Sequence, residues 1–411
     1  MMRKKLPSRK LFYDFSLEER VPRDHFLRRL AEVVDFSFVY NMVRPYYSHT
    51  GAPSVDPVVV FKMALIGYLY NIPSERKLAE EVRLNMAFLW FLGYDIDESP
   101  PDHSILSKAR RRFGKDVYEA FFRKVLEICR RAGLVEGDRV YLDSTLLKAN
   151  ASFESVVSKS LYRQLPDARE FVDHMWGENE PEADKTNQVT ISRTDPDCSI
   201  IRTKHKGTFL AHKVHVAVDG GRSRIITAIA VTPGAEAEHR LVPLLVGKHT
   251  FNCRKKPREV VADRGYGKQA VYLFLKRQGI TPIIPRHQSR TRLVRKKQEL
   301  GFTYDPERDV YICPRGKKLY KVQRLGETVR YRTHRYACRG CELQPQCGAQ
   351  RAGISRISDT IASALAVLGT PRGRRAMALR KCWVETVNAD LKNNRSLSRA
   401  HYRGNRAVTI Q

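Results

Sequence analysis

From residue 137 onward, the sequence alternates in a way that few folds accept. Short runs rich in Val, Ile and Tyr (140–142, 212–218, 224–231, 260–262 and 281–284) are interleaved with helical stretches at 241–246 and 268–278. β-Branched and aromatic runs of this length suit a half-buried pleated surface, and the interleaved stretches carry apolar residues at helical spacing. The order strand, strand, strand, helix, strand, helix, strand predicts a mixed α/β sheet. His212 and His215, three apart on a predicted strand, point to opposite faces and read as structural. Residues 153–200 are polar and irregular apart from a helical pattern near 166–176, and read as a mobile insertion between strands.

Before residue 137 the pattern is helical. Asp56-Pro57 places a capping side chain before a proline at the first helical position, ahead of an apolar helix ending near Asn71. Ser74 starts a second helix running toward Gly93. After Pro100-Pro101-Asp102 comes a short basic helix over 104–113, then another over 115–132 terminated by Gly133. Two short helices around a proline turn, the second bearing Lys108, Arg110, Arg111 and Arg112, resemble a helix-turn-helix-like DNA-binding unit. A solvated basic helix face is the competing reading.

Charge narrows the partners. The 411-residue chain carries 74 Lys and Arg against 44 acids, a net +30 inside a sequence that is 42% hydrophobic. That composition describes a globular chain, and the surplus implies a polyanion, because basic side chains gain affinity by displacing counterions from phosphates. The longest apolar stretch, 58–70, contains Lys62 and is too short to span a bilayer. With no secretory signal after the basic start, the expectation is a soluble, cytoplasmic protein associated with the nucleoid, without membrane contact.

Against this basic background three carboxylates stand out. Val140-Tyr-Leu-Asp143 and Glu259-Val-Val-Ala-Asp263 each run as a strand up to the aspartate and turn afterwards. Glu385 belongs to a basic helical segment, with Lys381 and Lys392 four and seven residues away on one face. Taken singly, each aspartate reads as a turn or cap residue, and the glutamate as part of a salt-bridged surface helix. Between 371 and 406, however, ten Lys and Arg accompany only two acids, more positive charge than the acids can pair. Two aspartates and a glutamate suffice for Mg²⁺, which takes few protein oxygens and keeps its waters. Two such ions can polarise an attacking oxygen and stabilise a leaving alkoxide, so the set reads as a metal-dependent centre for cutting nucleic acid.

Four of the eight cysteines fall within 35 residues: Cys313, the pair Cys338-Arg-Gly-Cys341, and Cys347. A Cys-x₂-Cys pair with two further cysteines nearby points to structural Zn²⁺, and a reducing compartment disfavours disulfides. The run 286–297 holds six basic residues and no acids, either a phosphate contact or a solvated linker.

Asp143-Ser-Thr, His212-Lys-Val-His-Val-Ala-Val-Asp219, Ala262-Asp-Arg-Gly-Tyr-Gly267 and the Glu385 to Lys392 segment together resemble the DDE transposases of bacterial insertion sequences. The stretch ending in Pro101-Asp-His-Ser-Ile-Leu-Ser resembles the helical domain that precedes their catalytic core. The resemblance implies an RNase H-like core at 137–289 and 353–411, an all-α DNA-binding domain at 1–136, and a zinc-ribbon-like insertion at 290–352. It implies hydrolysis at the ends of the mobile element with Mg²⁺ or Mn²⁺ held by Asp143, Asp263 and Glu385. Strand transfer into double-stranded target DNA by the freed 3′-hydroxyl would follow. Lys392, Lys381 and Arg264 would contact DNA, and pairing two ends implies a homodimer. This sequence departs from the family signature in having Ala378 and Lys381 where tyrosine and arginine are usual, and in stopping at Gln411 where relatives continue. Two rivals follow: an RNase H-like nuclease that never joins, and a truncated DNA-binding relic.

Overall fold

Asp56 and Pro57 begin a helix as their order predicts. The Asp56 carboxylate accepts a hydrogen bond from Val58 N–H (2.7 Å), and the helix Pro57–Leu69 starts on the proline. A computed structural model describes residues 15–48, 50–51, 53–162, 185–204, 207–286, 300–325, 328–347, 354–356 and 359–411. The helical pattern near 166–176 and residues 287–297 of the basic run lie outside them. The chain forms two compact units, one of residues up to 128 with 389–411, the other of residues 129–388.

In the first unit, Ser74 caps the helix Glu75–Leu84, which stops short of Gly93. Asn85 is the reason: its side-chain oxygen accepts from Ala87 N–H (2.9 Å) and Phe88 N–H (3.3 Å), ending one helix and starting Met86–Leu92. The basic helix and its successor are continuous over Ser104–Arg131, but Gly114, at φ 64°, breaks the axis where a side chain would be strained. Leu27, Val39, Met63, Ile66, Val82 and Phe91 form the buried core of the unit. The carboxy-terminal segment belongs to it. Arg395 donates to the Leu69 carbonyl (2.9 Å), Tyr402 donates to Glu75 (2.9 Å), and the Arg110 guanidinium lies 4.0 Å over the Tyr402 ring. No helix among the described residues is long and apolar enough to cross a membrane.

Among the described residues the second unit has thirteen strands. The first eight are β1 Arg139–Lys148, β2 Val156–Ser158, β3 Thr190–Ser192, β4 Ser199–Thr203, β5 Gly207–Asp219, β6 Ile226–Pro233, β7 Glu259–Val261 and β8 Thr281–Ile283. The remaining five are β9 Thr303–Asp305, β10 Val310–Ile312, β11 Lys318–Leu325, β12 Thr328–Arg332 and β13 Ile354–Arg356. β6, β5 and β1 pair antiparallel, and β7 and β8 then add in parallel on the other edge of β1. This is the mixed sheet of an RNase H-like core. Helices Val242–Cys253 and Gln269–Arg277 supply the crossovers that parallel pairing demands, and pack with Val140, Leu142, Ala217 and Val260. β9 to β13 form a separate antiparallel sheet around Leu319 and Tyr331. β2 and β3 pair as a two-stranded ribbon.

The histidines of β5 serve the fold. Fully buried, His212 meets the equally buried Asp195 at 2.8 Å, and His215 meets Thr232 at 2.9 Å. Burial pushes the His215 imidazole down to about 3, so it stays neutral. Asp219, ending the same strand, is buried and accepts from Glu136 N–H (3.0 Å), Gly137 N–H (2.8 Å) and Gly221 N–H (3.0 Å). Asp219→Ala should therefore destabilise the second unit by about 3 kcal/mol or more, since three backbone donors lose a charged acceptor. Urea denaturation measures this, and an unchanged midpoint would contradict the anchoring role.

Candidate active site

Each of the three carboxylates reaches its place for a local reason. Asp143 does not end its strand, as the composition predicts, but lies within β1, opposite Val216 of β5. The parallel partner β7 covers only Arg139–Tyr141 of β1, so that edge opens two residues before Asp143. Asp263 lies two residues beyond β7, and its Oδ1 accepts from Gly265 N–H (2.8 Å), capping the short turn Arg264–Tyr266. The cap reading of Asp263 is thus met, and its other oxygen remains turned toward the site. Glu385 closes a wide helical turn, Lys381–Glu385, inserted between helices Pro371–Arg380 and Thr386–Asn394.

Arg380 brings the three together. Its guanidinium stands 3.1 Å from Asp143 Oδ1, 3.8 Å from Asp263 Oδ2 and 3.7 Å from Glu385 Oε1. In a regular helix, residues five apart point about 140° away from each other. The wide turn closes its hydrogen-bonded ring one residue later, so Arg380 and Glu385 align as residues four apart normally do. The wide turn thus aims Arg380 at the carboxylates, while Lys381 is exposed. Trp383 fixes the turn: its ring nitrogen donates to Gly221 O (3.0 Å) and its ring lies against Tyr141. Arg224 donates to the Cys382 carbonyl (3.3 Å) from the same side.

The environments of the acids differ. The side chain of Asp143 is 14% exposed, those of Asp263 and Glu385 43% and 58%. Asn388 donates to Asp143 Oδ2 (3.0 Å). Burial pushes the Asp143 carboxyl up to about 6; the Arg380 charge opposes the rise, and Asp263 and Glu238 add to it. Tyr266 is fully buried beside the same carboxylates, and burial first, then Glu238, Asp143 and Asp263, raise its hydroxyl well above the ordinary value. As they stand, no three His, Cys, Asp or Glu side chains among the described residues are arranged to hold a metal ion. Here a guanidinium occupies the space between the carboxylates. The donor chemistry still fits a hard divalent cation: carboxylate oxygens on rigid elements, with the buried Asn388 Oδ1 lacking a hydrogen-bond partner.

Arg264 is exposed on the turn after Asp263. In the first unit Lys108, Arg111 and Arg112 are exposed, Lys392 is half-buried, and Arg110 is held by Glu75 and the Tyr402 ring. The four cysteines sit beside the second sheet, half-buried and free of disulfides. Gly316 N–H donates to Cys313 O (2.8 Å) and Lys317 N–H to Cys313 Sγ (3.2 Å); Cys341 N–H donates to Cys338 O (3.3 Å). Burial raises the Cys338 thiol, and Cys347, Cys341 and Cys313 raise it further. Arg380 and Glu238 were not legible as site residues. Arg380 needed the inserted turn, and Glu238 sits in a short 3₁₀ turn with no strand or helix signal in the sequence.

The chain is similar to known proteins over most of its length. A family model described as Transposase DDE domain matches residues 190–411, and one described as Transposase domain (DUF772) matches residues 15–112. Asp143 falls between the two matched segments; Asp263 and Glu385 lie inside the first. The piggyBac transposase in its synaptic complex with hairpin DNA is 11% identical, at a TM-score of 0.31, over 93% of this chain and 70% of that one. At that score the two folds coincide too little to transfer detail. No curated protein matches the chain.

The raised Asp143 carboxyl has a measurable consequence in metal-free protein. It keeps its proton to a higher pH when folded than when unfolded, where the ordinary value is 3.8. Its favourable contribution is thus complete below pH 3.8 and lost as pH rises through about 6. Asp143→Asn should stabilise the metal-free protein by about 2 kcal/mol above pH 7 and leave it unchanged near pH 3.5. Thermal unfolding at both pH values tests this; a variant destabilised at the higher pH contradicts it.

Proposed function

Because this chain belongs to the transposase DDE domain family and is thereby a DNA transposase, we propose that Asp143, Asp263 and Glu385 are its catalytic, metal-holding carboxylates. The observation that carries the proposal is their convergence on the Arg380 guanidinium from three remote stretches of sequence. Mg²⁺ or Mn²⁺ held there would polarise the attacking oxygen and stabilise the departing one. Asn388 orients Asp143 through one carboxylate oxygen and leaves the other for the centre. Arg380 balances the carboxylates' mutual repulsion and lies where a phosphate oxygen could also be met by its fork of N–H groups. Glu385 and Asp263, the more exposed pair, are assigned to the side that DNA approaches.

The basic side chains at Lys108, Arg110, Arg111, Arg112, Arg264, Lys381 and Lys392 are assigned to double-stranded DNA, the element's terminal repeats and its target. Arg110 is the weakest member, since Glu75 and Tyr402 already hold it. Domains are proposed at 1–136, 137–289, 290–352 and 353–411, with a homodimer pairing two ends and the enzyme working at the nucleoid. Hydrolysis frees a 3′-hydroxyl, which then attacks a target phosphodiester. Asp143→Asn and Glu385→Gln should each reduce end cleavage to background while DNA binding changes less than about twofold, as expected when every basic side chain that meets phosphate is retained. Cleavage retained in both variants refutes the assignment.

Cys313, Cys338, Cys341 and Cys347 are proposed to hold a structural Zn²⁺. Support comes from two tight turns: one brings Gly316 N–H to the Cys313 carbonyl and Lys317 N–H to its sulfur, as a thiolate ligand requires, and the other brings Cys341 N–H to the Cys338 carbonyl. Gly316 and Gly340, both at positive φ (71° and 72°), make these turns possible. Metal analysis of purified protein should find one zinc per chain, lost in Cys341→Ser. That variant should become open to proteolysis within 303–347 while the RNase H-like unit stays folded. Zinc-free protein with an intact second sheet speaks against the site.

A further inference from the structure

Glu238 opens the short 3₁₀ turn Glu238–Leu241 between β6 and the helix Val242–Cys253. Its Oε1 accepts from Ser144 Oγ (2.7 Å), the residue next to Asp143, and lies 3.7 Å from Lys213 Nζ. Its Oε2 points the other way, at Gly265. A β-carbon on Gly265 would overlap Glu238 Oε2 and stand 3.1 Å from Asp263 Oδ1. Gly265 is thus a gap in the Asp-Arg-Gly-Tyr turn across which two carboxylates face each other. Tyr266, fully buried, directs its hydroxyl into the same place, next to Ser144. Both Glu238 and Asp263 act on it electrostatically, as does Asp143.

Charge leaves this set short of positive partners. The ion-paired set at the centre holds four carboxylates, those of Asp143, Asp263, Glu385 and Glu238, and two side-chain cations, Arg380 and Lys213. With every group ionised, two negative charges remain unmatched. Lys213 cannot take up the difference, since it also donates to Glu236 O (2.8 Å) and lies on the Oε1 side of Glu238. A divalent cation has the missing charge and prefers carboxylate and hydroxyl oxygens.

We propose that Glu238 is a fourth carboxylate of the divalent-cation site, facing Asp263 across Gly265 and holding the cation through Oε2. The inference rests on the assignment of Asp143, Asp263 and Glu385 to that site and adds a residue to it. Glu238 is fixed for the task by Ser144 and Lys213, so one oxygen orients the group and the other is left for the ion. Gly265 is then a requirement of the site, because any larger residue displaces the Glu238 carboxylate.

Mn²⁺ binding to the full chain, followed by electron paramagnetic resonance of the free ion, tests this without relying on DNA cleavage. Wild type should bind Mn²⁺ and Asp143→Asn should lose it. Glu238→Gln keeps the Ser144 contact and removes only the charge; its Mn²⁺ affinity should fall at least tenfold. Gly265→Ala should weaken binding similarly, and combining it with Glu238→Gln should add little, since both act on one carboxylate. If Asp143→Asn abolishes binding while Glu238→Gln binds like wild type, Glu238 is outside the site and this inference is overturned alone. If wild type binds no Mn²⁺, the metal assignment of the three carboxylates fails first.

Discussion

One guanidinium organises the catalytic half of this protein. Four negatively charged groups in a unit of an otherwise strongly basic chain would repel one another across a partly buried pocket. Arg380 meets three of them at once. Its planar fork of donors suits that task; an ammonium group, as on the neighbouring Lys381, is a single point of charge on a flexible stem. The position of Arg380 depends in turn on the wide turn 381–385, and that turn is held by Trp383 against Tyr141 and Gly221. Sheet, turn and arginine form one chain of dependence from the core to the surface.

The sheet explains why the aspartates lie where they do. β1 is paired on both edges only as far as Tyr141, and then on one edge only. Asp143 therefore stands on rigid backbone beside an open flank, and Asp263 leaves the parallel neighbour β7 at the same level. Parallel strands place their carboxyl ends together, so two residues 120 positions apart in sequence meet without any loop having to bridge them. The burial that raises the Asp143 carboxyl comes from the same packing.

Much of this was legible in the residues. Strand composition located β1, β5, β6, β7 and β8, Asp56-Pro57 located a helix start, and Asp263 was marked by the turn chemistry that follows it. The limits are equally physical. The end of β1 was misplaced because Asp143-Ser-Thr-Leu-Leu continues as a strand paired on one side only, a circumstance that propensity does not encode. The helix after Ser74 was drawn too long because Asn85 acts at once as terminator and cap. Arg380 was passed over because a single inserted residue in a helix leaves no mark in the pattern of apolar residues. Glu238 was passed over because its role depends on Gly265 and Ser144, which only the fold brings beside it.

Asp143, Asp263 and Glu385 are proposed to share a cation that replaces part of what Arg380 now supplies. A crystal structure of the protein grown with Mn²⁺, examined by anomalous scattering at the manganese edge, is the most direct measurement. The account predicts anomalous density among the three carboxylates, with the Arg380 guanidinium drawn back from Asp143. Density absent from that pocket at saturating Mn²⁺, with Arg380 still against all three acids, would contradict it.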